Sequence, residues 1–131
     1  MISGPIPDRF FPQTLTLLRL FAGFVIWQIG AQKWLALFGE RAGASFWLAG
    51  MLEFFGGILL AAGLFTRPVA VLLAVEMIVV YFAQHLSRGF WPIRNGGEPA
   101  LLLFFICLFL ASAGPGWLSL DGLLARTSGK R

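Results

Sequence analysis

The chain has 131 residues, of which 58% are hydrophobic and 12% charged, with a net charge of +4 and a mean hydropathy of +0.81. An average soluble domain is roughly 45–50% apolar and about 25% charged, so the composition excludes a water-soluble monomer, and it equally excludes disorder. A single Cys excludes a disulfide framework or a zinc site of paired cysteines, and a single His excludes bis-histidine haem ligation within one chain. An integral membrane protein remains.

A bilayer core about 30 Å thick takes roughly 20 helical residues. Four apolar runs are predicted as spans: Thr14–Trp34, Phe46–Phe65, Pro68–His85 and Pro99–Ala113. Pro12 precedes the first run, and Gly39, Arg41 and Gly43 interrupt after it. That run is longer than the roughly 7–15 apolar residues of a signal peptide and has no Ala-x-Ala site, so it is read as a retained span. Thr66-Arg67-Pro68 is a tight connection with Pro where a new helix begins. Arg88 to Pro92, followed by Asn95-Gly96-Gly97, makes a turn-rich loop, and Gly114-Pro115-Gly116 closes the fourth run. No strand alternation or repeat is visible. The expected fold is all-α: one domain, an antiparallel four-helix membrane bundle with a short basic tail.

Trp34, Trp47 and Trp91 mark one membrane boundary and Trp117 the other, while Trp27 falls inside a span. Four crossings put both termini on one side, with Arg9, Arg19, Arg67, Arg126, Lys130 and Arg131. Lys33, Arg41, Arg88 and Arg94 lie on the other. The excess of cations places the termini in the cytoplasm, with the basic tail against anionic headgroups. The positive charge sits at membrane edges and not on a soluble face, so nucleic acid is not an expected partner.

A charge at mid-membrane costs about 2.5–3.5 kcal/mol, and each Leu, Ile or Phe returns about 0.3–0.6. The second run holds ten such residues, worth about 5 kcal/mol, and can therefore carry Glu53. An intramembrane carboxylate is a functional candidate by default. Gly50, Glu53, Gly57 and Ala61 share one helical face of small residues, so Glu53 is predicted to point into the bundle. Arg19, Gly23, Ile26, Gly30 and Lys33 form a matching stripe on the first helix, and an ion pair between Lys33 and Glu53 is predicted.

The other polar residues are less determined. Gln28 and Gln32 lie on the opposite face of the first helix and suggest a contact with another subunit or helix. Glu76 sits near mid-depth of the third helix on a face without glycines, and its direction stays open. His85 reads as an interfacial residue, Glu98 as a carboxylate favoured by a helix N-terminus, and Cys107 as a buried small hydrophobe. Lys33, Glu53, His85, Arg94 and Glu98 all fall toward the outer half of the membrane.

These residues resemble the DoxX family of small bacterial membrane proteins. The resemblance is carried in order by Leu17-Leu18-Arg19-Leu20, Gly23, Gly30, Lys33 and Leu52-Glu53-Phe54-Phe55-Gly56-Gly57. It continues through Gly63-Leu64-Phe65-Thr66-Arg67-Pro68, His85, Gly89-Phe90 and Asn95-Gly96-Gly97-Glu98, and ends with Gly114-Pro115-Gly116 and Leu118-Ser119-Leu120-Asp121. The chain departs from the family's pattern where Pro99 follows Glu98 without an intervening aromatic residue. The resemblance implies four helices in a bacterial inner membrane and a link to quinone-dependent redox chemistry. The family's recurring polar positions fall on Arg19, Lys33, Glu53, Arg67, His85 and Glu98. A quinone site of Lys33, Glu53, His85 and Glu98 is therefore expected, with Phe54, Phe55, Phe90 and Trp91 as walls; Arg19 and Arg94 take secondary places, as does Glu76, which is not part of the family's pattern. No flavin, haem, iron–sulfur or other metal motif is visible, so electrons would come from a partner chain. The alternative is a non-catalytic membrane scaffold, to which the glycine faces and the two-faced first helix are suited; homo-oligomers fit either reading.

Overall fold

Proline and glycine set the helix boundaries. In the computed structural model, which describes residues 7–35 and 47–128, a 3₁₀ turn at Asp8–Phe10 leads into α1, Phe11–Leu35. Pro12 falls in its first turn, where no helical hydrogen bond is lost. Gly39, Arg41, Gly43, Phe46, Lys130 and Arg131, named above as breakers, span start and tail, lie outside the described residues.

The second helix, α2, spans Trp47–Ala62. It ends in a Schellman motif: Gly63 takes a φ of 72°, its N–H donates to Leu60 O, and Leu64 N–H donates to Leu59 O. The third, α3, spans Thr66–Val80 and continues through a π-helical turn, Tyr81–His85, and a 3₁₀ turn, Leu86–Arg88. A short α4, Pro92–Asn95, precedes α5, Glu98–Ala113, and α6, Leu120–Thr127. No strand occurs among the described residues.

Asp8–Trp34 and Thr66–Arg88, 27 and 23 residues long, are long and apolar enough to cross a membrane. At 16 residues each, α2 and α5 reach only about 24 Å, short of the roughly 30 Å hydrocarbon core. The four similar runs thus become two long helices and two short ones.

The first two helices pack on each other, α3 packs on α5, and α2 joins the two pairs through α3. The contact between α1 and α2 is backbone against backbone. A Cβ on Gly30 would lie 2.2 Å from the Phe54 nitrogen, one on Gly23 2.5 Å from the Ala61 nitrogen, and one on Gly57 2.5 Å from the Trp27 nitrogen. Small residues at helical spacing allow this approach. Between the helices lies an apolar core that includes Ile26, Leu60, Leu73, Cys107 and Leu110. Arg19 and Glu53 are fully buried, whereas Phe21, Phe82, Leu102 and Phe105 are more than half exposed. Charge inside and large apolar residues outside is the pattern of a chain whose surroundings are apolar.

At the end of the molecule where α1 begins and α6 lies, charges tie the segments together. The Arg19 guanidinium donates to the carbonyls of Pro115, Leu118 and Ala61. Arg67 donates to Ala111 O and Ser112 O, the last carbonyls of α5. The Asp121 carboxylate accepts from Phe65 N–H at 2.7 Å and Thr66 N–H at 2.8 Å, and so caps α3 from another part of the chain.

Burial pushes the Asp121 carboxyl up, but the N–H groups of Thr66 and Phe65 and the charge of Arg19 outweigh it and hold it below its ordinary 3.8. A carboxyl lowered on folding stabilises the fold above its unfolded pKa, and that contribution is lost as pH falls through the lowered value. Amide exchange at Phe65 and Thr66 is therefore expected to speed up below about pH 4. Asp121→Ala should cost about 1 kcal/mol at neutral pH and abolish this acid step.

Candidate functional site

The far end of α1 and α2 holds the charged cluster. Lys33 follows Gly30 by three residues on α1, and Glu53 follows Gly50 by three on α2, so each continues the stripe that lets the backbones meet. Lys33 Nζ stands 2.8 Å from Glu53 Oε1; the Glu53 side chain is inaccessible and that of Lys33 is 18% accessible. This is the pairing that the helical spacing predicts.

Glu76, whose direction the pattern left open, turns to the same place. A Cβ at Gly56 would lie 2.9 Å from Leu73 Cδ2, so Leu73 fills the notch that this glycine leaves in α2. Three residues away on each helix stand Glu53 and Glu76. The Glu76 carboxyl interacts with that of Glu53, and the charge of Lys33 reaches it.

A cavity of about 280 Å³ opens beside the pair. Its polar lining includes Lys33, Glu53, Gln84 and His85, and its walls are aliphatic, with Ile29, Met77, Val80 and Leu103. Gln84 and His85 belong to the π-helical turn that ends α3, a local change of helical phase often found at functional sites. His85 Nδ1 lies 3.2 Å from Asn95 O. A carbonyl only accepts, so Nδ1 carries the hydrogen and Nε2 of the neutral ring is left as acceptor.

Asn95 holds this arrangement in place. It is 1% exposed, donates to Tyr81 Oη and Gly89 O, and accepts from Gly97 N–H at 2.8 Å. Its position in Asn-Gly-Gly signals a turn, but nothing in that signal tells that the side chain is buried.

Several expected site residues lie elsewhere. Glu98 is exposed and lines a separate groove with Pro92, Leu101, Leu102 and Phe105. It begins α5, and the phase that buries Ala100 and Leu103 turns it away. Arg94 is exposed and does not line the cavity. Arg19 is spent on backbone carbonyls at the other end of α1, about 21 Å from Lys33 along the axis. The expected aromatic walls are also absent from the cavity lining. Phe54 and Phe55 pack with Trp34, and Phe90 and Trp91 are exposed.

Among the described residues every regular element is helical, the charges of Arg19 and Glu53 point inward, apolar faces turn outward and two helices are long and apolar enough to cross a bilayer, which are features of a membrane protein. A family model described as DoxX matches residues 14–86, and the chain belongs to that family. The matched stretch contains Lys33, Glu53, Glu76 and His85 and stops before Glu98. An uncharacterized protein of Haemophilus influenzae is 36% identical over 124 residues, covering 87% of this chain and 92% of that protein. An uncharacterized membrane protein of Mycobacterium tuberculosis is 30% identical over 137 aligned residues, covering 88% of this chain and 83% of that one. No solved structure matches.

Proposed function

We propose that the chain is a small subunit of a quinone-linked oxidoreductase system in a bacterial inner membrane. In this reading it crosses four times as an antiparallel bundle, with both termini in the cytoplasm and the cavity in the outer half. The cavity receives a quinone or quinol headgroup, and the electrons come from a partner subunit.

The observation that carries this reading is a part-buried ion pair, Lys33–Glu53, set in the wall of a mainly aliphatic cavity that also presents Gln84 and His85. At about 280 Å³ the space lies just under the roughly 300–1,000 Å³ typical of drug-sized ligands, enough for one substituted ring whose tail lies in lipid. Lys33 supplies a donor for a ring carbonyl, and His85 and Glu53 supply acceptors for a quinol hydroxyl. The scaffold reading loses part of its support, because the glycine stripes that suggested it are used within the chain, α1 against α2. Gln32 on α1 stays exposed and offers a polar contact to a partner helix.

The test is purification in mild detergent, with mass spectrometry for bound quinone and for partner chains, followed by quinone titration. Lys33→Met/Glu53→Gln, which removes both charges together, is expected to weaken quinone binding at least tenfold, about 1.4 kcal/mol, and leave the protein folded. Absence of quinone from the unsubstituted protein, together with unchanged quinol oxidation in membranes lacking it, would overturn the proposal.

A further inference from the structure

Lys33, Glu53 and Glu76 do not balance as charges. Three carboxyl oxygens, Oε2 of Glu53 and both oxygens of Glu76, are buried and find no hydrogen-bond partner among the described residues. The two carboxyls are nevertheless close enough to interact directly. Two carboxylates cannot satisfy each other, since an ionised carboxyl only accepts. Among the described residues the cation set against them is Lys33, which leaves one negative charge in excess. An uncompensated charge away from water is among the costliest arrangements a protein can hold. Facing acceptors with no donor between them mark the place of a hydrogen.

We propose that Glu53 and Glu76 share one proton, and that with Lys33 they form a neutral proton-binding site inside the membrane. The groups that face it come from every helix packed around it: Lys33 from α1, Glu53 from α2, and from α5 the Cys107 thiol, which lies within electrostatic reach of Glu76. Glu53 also lines the cavity, as does His85. The shared proton is therefore one carboxyl away from whatever the cavity holds, and its loss or gain changes the charge of the site by one. This deepens the reading of the cavity given above, but it does not require a quinone.

The test is infrared spectroscopy of the full chain in lipid bilayers, with exchange from H₂O to D₂O. The carbonyl stretch of a protonated, buried carboxyl moves on deuteration, and the unsubstituted protein is expected to show it at neutral pH. Either Glu53→Gln or Glu76→Gln alone should remove the band, because Lys33 then balances the carboxylate that is left. Lys33→Met should increase it about twofold, since both carboxyls must then be neutral. Glu98→Gln, at an exposed position, should leave it unchanged. A band that survives Glu53→Gln belongs to Glu76 alone and overturns the sharing. No exchangeable band in the unsubstituted protein overturns the proposal outright, without recourse to any variant. A protein that binds no quinone but keeps the band refutes the quinone reading only, so the two ideas fail separately.

Discussion

Arg19→Met is expected to loosen residues 115–123 and to cost about 3–5 kcal/mol, the range for removing one partner of a buried charged arrangement. Arg19 is 2% exposed, and its guanidinium reaches three carbonyls from two separate segments, Ala61 at the end of α2 and Pro115 and Leu118 before α6. Hydrogen bonds to a charged donor contribute about 1.5–3 kcal/mol each, and an acceptor stranded away from water loses that contribution and its hydration. Methionine fills much of the volume and donates nothing. Lysine keeps the charge, but its ammonium is a point donor that cannot fan out to carbonyls from different directions as a planar guanidinium does. Arg19→Lys should therefore recover only part of the loss. The measurement is the melting temperature in detergent, with amide exchange at Trp117, Leu118 and Asp121. The last of these donates its N–H to Gly63 O and reports whether the tail still rests on the α2–α3 corner. Unchanged melting and exchange in Arg19→Met would show that these contacts carry no stability.

Gly30→Val is expected to prevent α1 and α2 from closing. Even the first added carbon would stand 2.2 Å from the backbone nitrogen of Phe54 and 2.7 Å from the Gly50 oxygen. A side chain in the way can rotate, but a helix backbone cannot, so the whole helix must move. Overpacking in a close-fitted interior costs about 1–3 kcal/mol and more where backbone must shift. The same displacement draws Lys33 away from Glu53, three residues along each stripe, so the ion pair and the cavity wall fail together. The expected result is loss of monodisperse protein and of any bound quinone. Gly122→Ala is the control. Its Cβ would meet the movable Ser119 Oγ at 3.1 Å and nothing else within contact range, and alanine favours helix over glycine by up to about 1 kcal/mol. A normal yield from Gly30→Val would refute the close backbone contact.

The stripe of small residues was legible because a helix repeats every 3.6 residues, and that period alone brings Gly23, Ile26, Gly30 and Lys33 to one face. The matching face of α2 was legible for the same reason, and the Lys33–Glu53 pair followed from putting the two together. Glu76 was not legible. Its neighbours at helical spacing are large and apolar on every side, so periodicity carries no direction; that came from Leu73 seating in the notch at Gly56. Glu98 failed in the opposite way. Gly96, two residues before it, and Pro99, directly after it, do line the cavity, but Glu98 itself is turned outward and exposed.

The sequence by itself determined that this is an all-helical, membrane-class chain and that Glu53 has a basic companion. These are properties of composition and of short-range period, which need no knowledge of what lies across the bundle. The tertiary structure alone decided that Arg19 is a clasp for the carbonyls near the carboxyl terminus, that Asp121 caps a helix more than fifty residues before it, and that a second carboxyl joins the first. Each of these depends on which segments meet at a helix end or across a helix face, and that is set by side-chain fit between elements distant in the chain.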